Sequence, residues 1–180
     1  MVPVTSDDLY GTSAIVDNSV LNELASLGSV RLLNRVFSRV YMAENMIRVE
    51  ARFPGANKAL AELAPVRIAA ETEAEIWLWA EIMRKRKALS RNDAEVVAIA
   101  VERSLVCCTS DGPMIKTCEM YGLRRTGTLG VLALSYWRGH ITPEEFRVLV
   151  DKLFTLPDAR YSESVKREFL AGFPEVFGEK

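Results

Sequence analysis

The sequence contains little cysteine, a single histidine and no long apolar run, and each shortage excludes a class of protein. Its three cysteines are an odd number, and Cys107 and Cys108 are adjacent in the apolar run LVCCT, which suits neither disulfides nor a zinc site. We therefore expect buried, reduced thiols. A membrane-spanning helix needs about 20 apolar residues, which no segment provides, and the N-terminus lacks the basic start and apolar core of a signal peptide. We expect a cytoplasmic protein with no membrane partner.

An excess of charge of one sign is also missing. The chain has 23 basic and 24 acidic residues, so its net charge of −1 does not by itself predict a nucleic-acid or membrane partner. What the sequence does have is hydrophobic residues, 49% of its 180 positions, which is enough for one substantial core. We therefore expect residues 1–180 to form a single domain.

Short apolar runs alternate with amphipathic segments along the chain, which predicts strands alternating with helices. The predicted strands are AIVDNS (14–19), RVYMA (39–43), LVCCTS (105–110) and the short LRRTG, and the main predicted helices cover residues 44–52, 71–88, 92–104 and 112–122. The segment VRIAA, just before residue 71, is compatible with a strand or with an extended connection. This order predicts an α/β fold, a three-layer α/β/α sandwich with a central, mostly parallel sheet.

Two of the apolar runs end on aspartate, AIVD at Asp17 and LVCCTSD at Asp111. The carboxyl ends of parallel strands lie at one edge of a sheet, where ligands bind, so both side chains are expected at that edge. Asp93 and Glu50 lie on predicted helices that can face the same place. Four converging carboxylates repel one another unless a cation is bound, and oxygen ligands without histidine or cysteine suit Mg²⁺ or Mn²⁺.

A simpler interpretation stays open for each of these acids. Aspartate is a common N-cap residue, so Asp93 and Asp111 can each serve only to cap a helix. Glu50 can equally lie on a solvated helix face. The spacing alone does not decide between a metal site and four ordinary carboxylates.

Four motifs in one order resemble the PIN-domain family of metal-dependent ribonucleases. They are VDNS with Asp17, IRVEAR with Glu50, NDAEVVAIA with Asp93 and CCTSDG with Asp111. The segment YGLRRTGTLGVLALSYWRGHI is similar to the glycine-containing part of a poorly characterised PIN subgroup that is thought to bind nucleic acid. The resemblance covers about residues 13–155 and leaves residues 156–180 as a C-terminal extension.

The resemblance implies an endoribonuclease that uses Mg²⁺ or Mn²⁺ to hydrolyse RNA phosphodiester bonds. Asp17, Glu50, Asp93 and Asp111 would be its catalytic carboxylates, and Asp17, Asp93 and Asp111 would be the metal ligands. Such a site activates a water and needs no protein nucleophile. The resemblance also implies a homodimer. Since many compact bacterial members act in this way, it further implies the toxin of a toxin–antitoxin pair, with an antitoxin protein as partner.

Residues next to the carboxylates would support this chemistry. By the resemblance, Ser19 and Thr109 would orient ligands or waters. Glu95 is either a further supporting or metal-binding group or an ordinary solvated helix residue, and the sequence leaves both interpretations open.

Basic residues near the same edge of the sheet would contact the RNA. Lys116, Arg124 and Arg125 fall there if the predicted order of elements is right, and contacts of this kind add affinity without sequence choice. The alternative function is a non-catalytic nucleic-acid-binding or protein-interaction module that retains the fold.

Overall fold

The computed structural model describes residues 7–178, in which five parallel strands form one sheet with helices on both faces. This confirms the predicted three-layer α/β/α sandwich. The strands are β1 (Ser13–Val16), β2 (Arg39–Ala43), β3 (Val66–Ile68), β4 (Val106–Cys108) and β5 (Arg125–Thr126). A short 3₁₀ helix, Asp7–Leu9, precedes β1.

The helices follow the strands in the alternating order that the sequence predicts. Within residues 7–178, no helix is both long enough and apolar enough to cross a membrane. The helices are α1 (Asn18–Ser26), α2 (Leu32–Val36), α3 (Glu44–Val49), α4 (Ala56–Leu63), α5 (Glu73–Lys85), α6 (Arg91–Glu102), α7 (Gly112–Met120), α8 (Thr128–Trp137), α9 (Pro143–Thr155), α10 (Glu163–Ala171) and α11 (Pro174–Phe177).

Successive strand residues serve two separate cores because side chains alternate across a sheet. Ala14 and Val16 pack with residues of α1, α2, α4 and α8 to α11, whereas Ile15 packs with residues of α3, α5, α6 and α7. Cys107 and Cys108 divide between the two cores in the same way. Both are buried and unpaired by disulfides, like Cys118, as the sequence predicts.

The strand order is β3-β2-β1-β4-β5, so β1 is flanked by β2 on one side and by β4 on the other. The chain moves outward from β1 through β2 to β3, and then crosses back to place β4 beside β1. The order therefore reverses between β1 and β4. In open parallel sheets this reversal leaves a crevice beyond the strand ends, and ligands bind there.

Three strands are shorter than predicted, and one undecided segment is now assigned. β5 contains only Arg125 and Thr126 of the predicted LRRTG. β1 ends at Val16, because Asp17 already serves as the N-cap of α1. β4 likewise ends at Cys108. The segment that the sequence left open contains β3, which pairs in parallel with β2 at the edge of the sheet. β3 has a neighbouring strand on one side only, so its sequence carries a weaker strand signal than that of a central strand.

An ion pair joins the start of α5 to the end of α6. The Glu75 side chain is 1% exposed and accepts a hydrogen bond from Nε of Arg103. It also accepts from the amides of Glu71 and Thr72, so the same carboxylate completes the capping box of α5. Arg103 donates in addition to the carbonyl of Ala69. Two helices and the segment after β3 are thus held by one charged pair.

We expect Glu75→Gln to lower the free energy of unfolding at pH 7 by about 2 kcal/mol, because Arg103 loses its charged partner. The Arg103 hydrogen bond holds the pKa of Glu75 at about 2, below its usual 4.5. The contribution is therefore complete above pH 4.5 and is lost as the pH falls towards 2. Urea denaturation at pH 7 and pH 3 measures the cost, which should be smaller at pH 3. Glu73→Gln, at an exposed position of the same helix, is the control, and an equal cost at both pH values would contradict the pairing.

Candidate functional site

The candidate site lies at the carboxyl edge of the sheet, beside the crevice between β1 and β4. Asp17 follows β1 directly, and Thr109, Ser110 and Asp111 follow β4. The two strands are neighbours with Val16 opposite Cys108, so their last residues lie side by side. The amide of Asp17 donates to the carbonyl of Cys108 at 2.9 Å, which continues the ladder to the residue that carries the carboxylate.

Asp17 is buried, with 3% of its surface exposed, and its carboxylate is held by neutral donors. Oδ1 accepts the amide of Asn18 at 2.7 Å. Oδ2 accepts the hydroxyl of Ser19 at 2.6 Å, the hydroxyl of Thr109 at 3.0 Å and the amide of Ser19 at 3.3 Å. Ser19 and Thr109, predicted to orient the site, therefore contact the same oxygen of this carboxylate.

The electrostatics of Asp17 are unfavourable for a charged group. Burial raises the pKa of Asp17 from 3.8 to about 6, and the negative charge of Asp93 adds to the rise. The hydrogen bonds from Ser19 and Thr109 lower the pKa but do not offset the burial. An aspartate in this state gains from a nearby cation, since an opposite charge favours the ionised form.

The negative charge of Asp93 affects the pKa of two other predicted acids, Asp17 and Glu50. It is the third residue of α6, where its Oδ2 accepts the amide of Ser90 in a capping box. Glu50 directly follows α3, and its Oε1 accepts the side-chain amide of Asn92 at 2.7 Å. Burial raises the pKa of Glu50, and the charge of Asp93 raises it further. Of the four predicted carboxylates, Asp93 is thus close enough to Asp17 and to Glu50 for its charge to affect both.

Asp111 joins this group through Thr109. Its carboxylate caps α7 by accepting the amide of Met114 at 2.9 Å, and its own amide donates to the hydroxyl oxygen of Thr109 at 3.1 Å. That hydroxyl donates in turn to Asp17. The capping interpretation is therefore correct for both Asp93 and Asp111, but it does not remove either residue from the edge of the sheet where the acids were expected.

Glu95 is buried rather than solvated, and it serves a different contact. Its carboxylate accepts hydrogen bonds from the side chain of Asn45 and from the amide of Ala70. It therefore connects α6 to α3 and to the segment after β3. These contacts explain why Glu95 is buried, and they do not involve the carboxylates of the candidate site.

The oxygen atoms at the site are ligands that suit a divalent cation, although the side chains do not form a complete set of metal ligands. Among residues 7–178, no three acidic, histidine or cysteine side chains are grouped closely enough to hold a metal ion. Mg²⁺ keeps several waters, however, and often takes only one or two carboxylates from the protein. Asp17 and Asp93 provide that number, and Asn18 adds a buried Oδ1 that has no partner within the described range. Uncompensated oxygen atoms of this kind suit a hard cation.

A cavity of about 920 Å³ opens next to these residues. Ser19, Thr109 and Asp111 line it on the side of the candidate site. Of the predicted RNA-binding residues only Arg125 lines it, and this residue is also paired with Glu119 at 2.6 Å. Lys116 and Arg124 are exposed outside its lining. Of the three predicted RNA-binding residues, one therefore lies at the cavity, and its contact with RNA stays a prediction.

Sequence reasoning missed Glu23 and Tyr161, which form the far side of this cavity. Glu23 is a buried carboxylate on α1, and Tyr161 belongs to the segment that the resemblance left out. The tyrosine hydroxyl donates to Oε2 of Glu23 at 3.2 Å, and Ser110 donates to the same oxygen at 3.0 Å. A signal for Glu23 existed: it lies on the apolar face of α1, three residues after Val20.

Comparison with known families supports the sequence resemblance and extends it. A family model described as a PIN domain matches residues 13–175, and thus runs past residue 155 into the C-terminal segment that includes the cavity wall. No curated protein matches the chain.

The raised pKa of Asp17 predicts a dependence of stability on pH. In the absence of metal, we expect the free energy of unfolding to fall as the pH rises from 5 to 8, because the folded state holds this proton more tightly than the unfolded chain. For a pKa raised from 3.8 to about 6, the loss over this range is about 1.5 kcal/mol. Urea denaturation in EDTA across the range measures it.

The variant Asp17→Asn lacks the titrating group, so its curve should fall less by that amount. Asp151→Asn, which changes an exposed aspartate of α9, should retain the wild-type slope. Parallel curves for the wild type and Asp17→Asn would contradict the raised pKa.

Proposed function

The chain belongs to the PIN-domain family, since the match spans residues 13–175 of its 180, and from that premise we propose that it is a metal-dependent endoribonuclease. PIN domains are typically nucleases, and they usually use divalent metal ions. The proposal for this chain is hydrolysis of RNA phosphodiester bonds with Mg²⁺ or Mn²⁺ bound at the carboxyl edge of the sheet. Asp17, Asp93 and Asp111 would hold the ion, with Glu50 assisting as a ligand or through a bound water.

The observation that carries the proposal is the state of the Asp17 carboxylate. It is buried, its hydrogen bonds come from amides and hydroxyls, and the charged group that shifts its pKa is another carboxylate. A protein keeps a carboxylate in this state at a cost in stability. Strong pKa perturbation beside a crevice is typical of functional sites.

The neighbouring residues would fix the positions of the acids. Ser19 and Thr109 bind Oδ2 of Asp17 from two different strand ends, so the direction of that carboxylate is set by the alignment of β1 and β4. Asn92 holds Glu50 beside the start of α6. A bound divalent cation would activate a water and offset the charge of the scissile phosphate. Arg125, which lines the cavity and is paired with Glu119, would bind a phosphate of the RNA.

Three further expectations from the sequence stay predictions. The toxin of a toxin–antitoxin pair, the homodimer and the cytoplasmic location are implied by the resemblance or by composition, and they do not depend on the contacts described above. The non-catalytic module is the competing function. It would keep the fold and bind RNA or protein, but it would have no need for acids that destabilise the metal-free state.

We expect the purified protein to cut an unstructured RNA pool with Mn²⁺ or Mg²⁺ and not with EDTA. Asp17→Asn and Asp93→Asn should each reduce the rate by at least about a hundredfold, because several kcal/mol of charge stabilisation depend on the ligands. Gel analysis of labelled RNA measures the rate, with circular dichroism to show that the variants fold. A DNA pool of matched sequence shows whether the sugar matters.

Asp151→Asn again provides the control and should cut at the wild-type rate. Cleavage that persists in EDTA, or that survives both substitutions in folded protein, would overturn the proposed metal mechanism. Metal binding without cleavage of any RNA or DNA would favour the non-catalytic module.

A further inference from the structure

Positive charge is concentrated at the turn between α5 and α6. Residues 84–91 read RKRKALSR, with five basic residues and no acid, although the whole chain has a net charge of −1. We call this segment the basic turn. Lys85 is paired with Glu81 of α5. The other four basic residues form no ion pair within residues 7–178. They are Arg84, Arg86, Lys87 and Arg91.

The fold places the basic turn at the carboxyl edge of the sheet. α6 leads into the first residue of β4, so it runs against the direction of the strands and begins at the edge where they end. The basic turn joins the end of α5 to this start of α6. Arg91 is the first residue of α6 and Asp93 is the third. The positive segment therefore ends two positions before one of the proposed metal ligands.

A hydrogen bond joins the basic turn to α7. Nε of Arg86 donates to the hydroxyl oxygen of Thr117 at 3.1 Å. The neighbouring residue, Lys116, is exposed and has no ion pair within the described range. Lys116 follows Asp111, the N-cap of α7, by five positions. A further cation thus lies on the helix that begins at a second proposed metal ligand.

The preference of helix ends for charge explains only part of this arrangement. Cations are favoured at the end of a helix, which accounts for Arg84 and Lys85 in the last turn of α5. Arg91 stands at the start of α6, where a cation is disfavoured. Its guanidinium nevertheless lies over the ring of Trp79, 5.0 Å from the ring centre, and the indole Nε1 donates to its carbonyl at 2.9 Å. The structure therefore holds an exposed cation at an unfavourable helix end beside Asp93.

An RNA strand needs cations at this place. Its phosphates carry the same sign of charge as the carboxylates of the candidate site, so they are repelled unless positive groups lie nearby. Lysine and arginine contacts with backbone phosphates supply affinity that does not depend on base sequence. Three of the four unpaired residues of the basic turn are arginines, whose planar guanidinium group matches the geometry of a phosphate.

We propose that the basic turn and Lys116 bind the phosphate backbone of an RNA strand whose scissile phosphate lies at the candidate site. The proposal rests on the proposed function for the place of cleavage, but not for the binding itself. None of these residues lines the cavity between Ser19 and Tyr161, so the surface is separate from that cavity. Because the contacts are to phosphates, the surface binds RNA without a preference for base sequence.

The first experiment measures binding in EDTA by fluorescence anisotropy, with a labelled oligouridine of about twelve nucleotides as the probe. One variant combines Arg84→Gln, Lys87→Gln and Lys116→Gln, which change exposed side chains without ion pairs in the described range. It should bind at least about tenfold more weakly in about 0.1 M salt. The slope of log Kd against log salt concentration should fall by about 2, since each phosphate contact with a single strand contributes about 0.7.

A matched control removes three positive charges from the opposite edge of the sheet. It combines Arg31→Gln, Arg35→Gln and Arg39→Gln, at exposed positions in and around α2 and at the first residue of β2. This variant should bind within about twofold of the wild type, because charges further away than about 10 Å are largely screened at this salt concentration. Equal losses in the two variants, both shown by urea denaturation to be folded, would reveal an effect of net charge and overturn the surface.

Unlabelled polyglutamate of similar length tests whether an acidic protein is the occupant instead. It should compete at least about tenfold less well than oligouridine, because carboxylates are spaced and shaped differently from backbone phosphates. Equal competition would overturn the assignment to RNA. Wild-type affinity in the basic-turn variant, or no binding of oligouridine by the wild type, would overturn the surface itself.

The second experiment measures cleavage of the oligouridine with Mn²⁺. The basic-turn variant should have a KM at least about tenfold higher than the wild type and a kcat within about twofold, because its side chains bind the RNA equally in the ground state and the transition state. A lower kcat with unchanged KM would contradict the proposed contacts. Binding that depends on the basic turn, without cleavage of any RNA or DNA, would instead overturn the nuclease and leave the surface standing.

Discussion

The site depends on one constraint, the burial of the Asp17 carboxylate at the end of β1. The residue has to leave the sheet where β1 and β4 lie side by side, and its first helical turn begins at once. The positive end of α1 offsets part of the cost, and the hydroxyls of Ser19 and Thr109 offset more. Burial still has the largest effect on the pKa of Asp17 and raises it, and the negative charge of Asp93 raises it further. The metal-free fold is thus held in a state that a cation would stabilise.

The same residues perform structural and proposed catalytic roles at once. Asp17, Asp93 and Asp111 each cap a helix or close a capping box. Asp93 and Asp111 each accept a backbone amide with one carboxylate oxygen, and Asp17 uses Oδ2 for its hydroxyl partners while Oδ1 accepts the amide of Asn18. Each carboxylate therefore keeps an oxygen that can also bind a ligand. The competing interpretations of the sequence, helix cap or metal ligand, are therefore compatible. The caps place three carboxyl groups at the carboxyl edge without any element devoted only to the site.

The C-terminal segment contacts residues beside the candidate site. Tyr161 reaches back across the sheet edge to Glu23 of α1, and both contact the loop after β4 through Ser110 or the shared cavity. Ser110 donates its amide to Ser19, which in turn donates to Asp17. A continuous chain of hydrogen bonds therefore runs from the C-terminal segment to the buried carboxylate of Asp17. The segment lies within the family match, which extends to residue 175.

Local patterns in the sequence determined the type and order of the elements and the acids that follow β1 and β4. Apolar runs, caps and strand-end aspartates act between residues close in the chain, and these are the interactions that a sequence displays. Tertiary structure alone decided the strand order, the neighbours of each acid and the cavity. Glu95 shows the limit of prediction from sequence, since its burial follows from contacts with Asn45 and Ala70, which lie in other parts of the chain. Glu23 and Tyr161 are a second example, because they are 138 positions apart in the chain and form a hydrogen bond only in the folded structure.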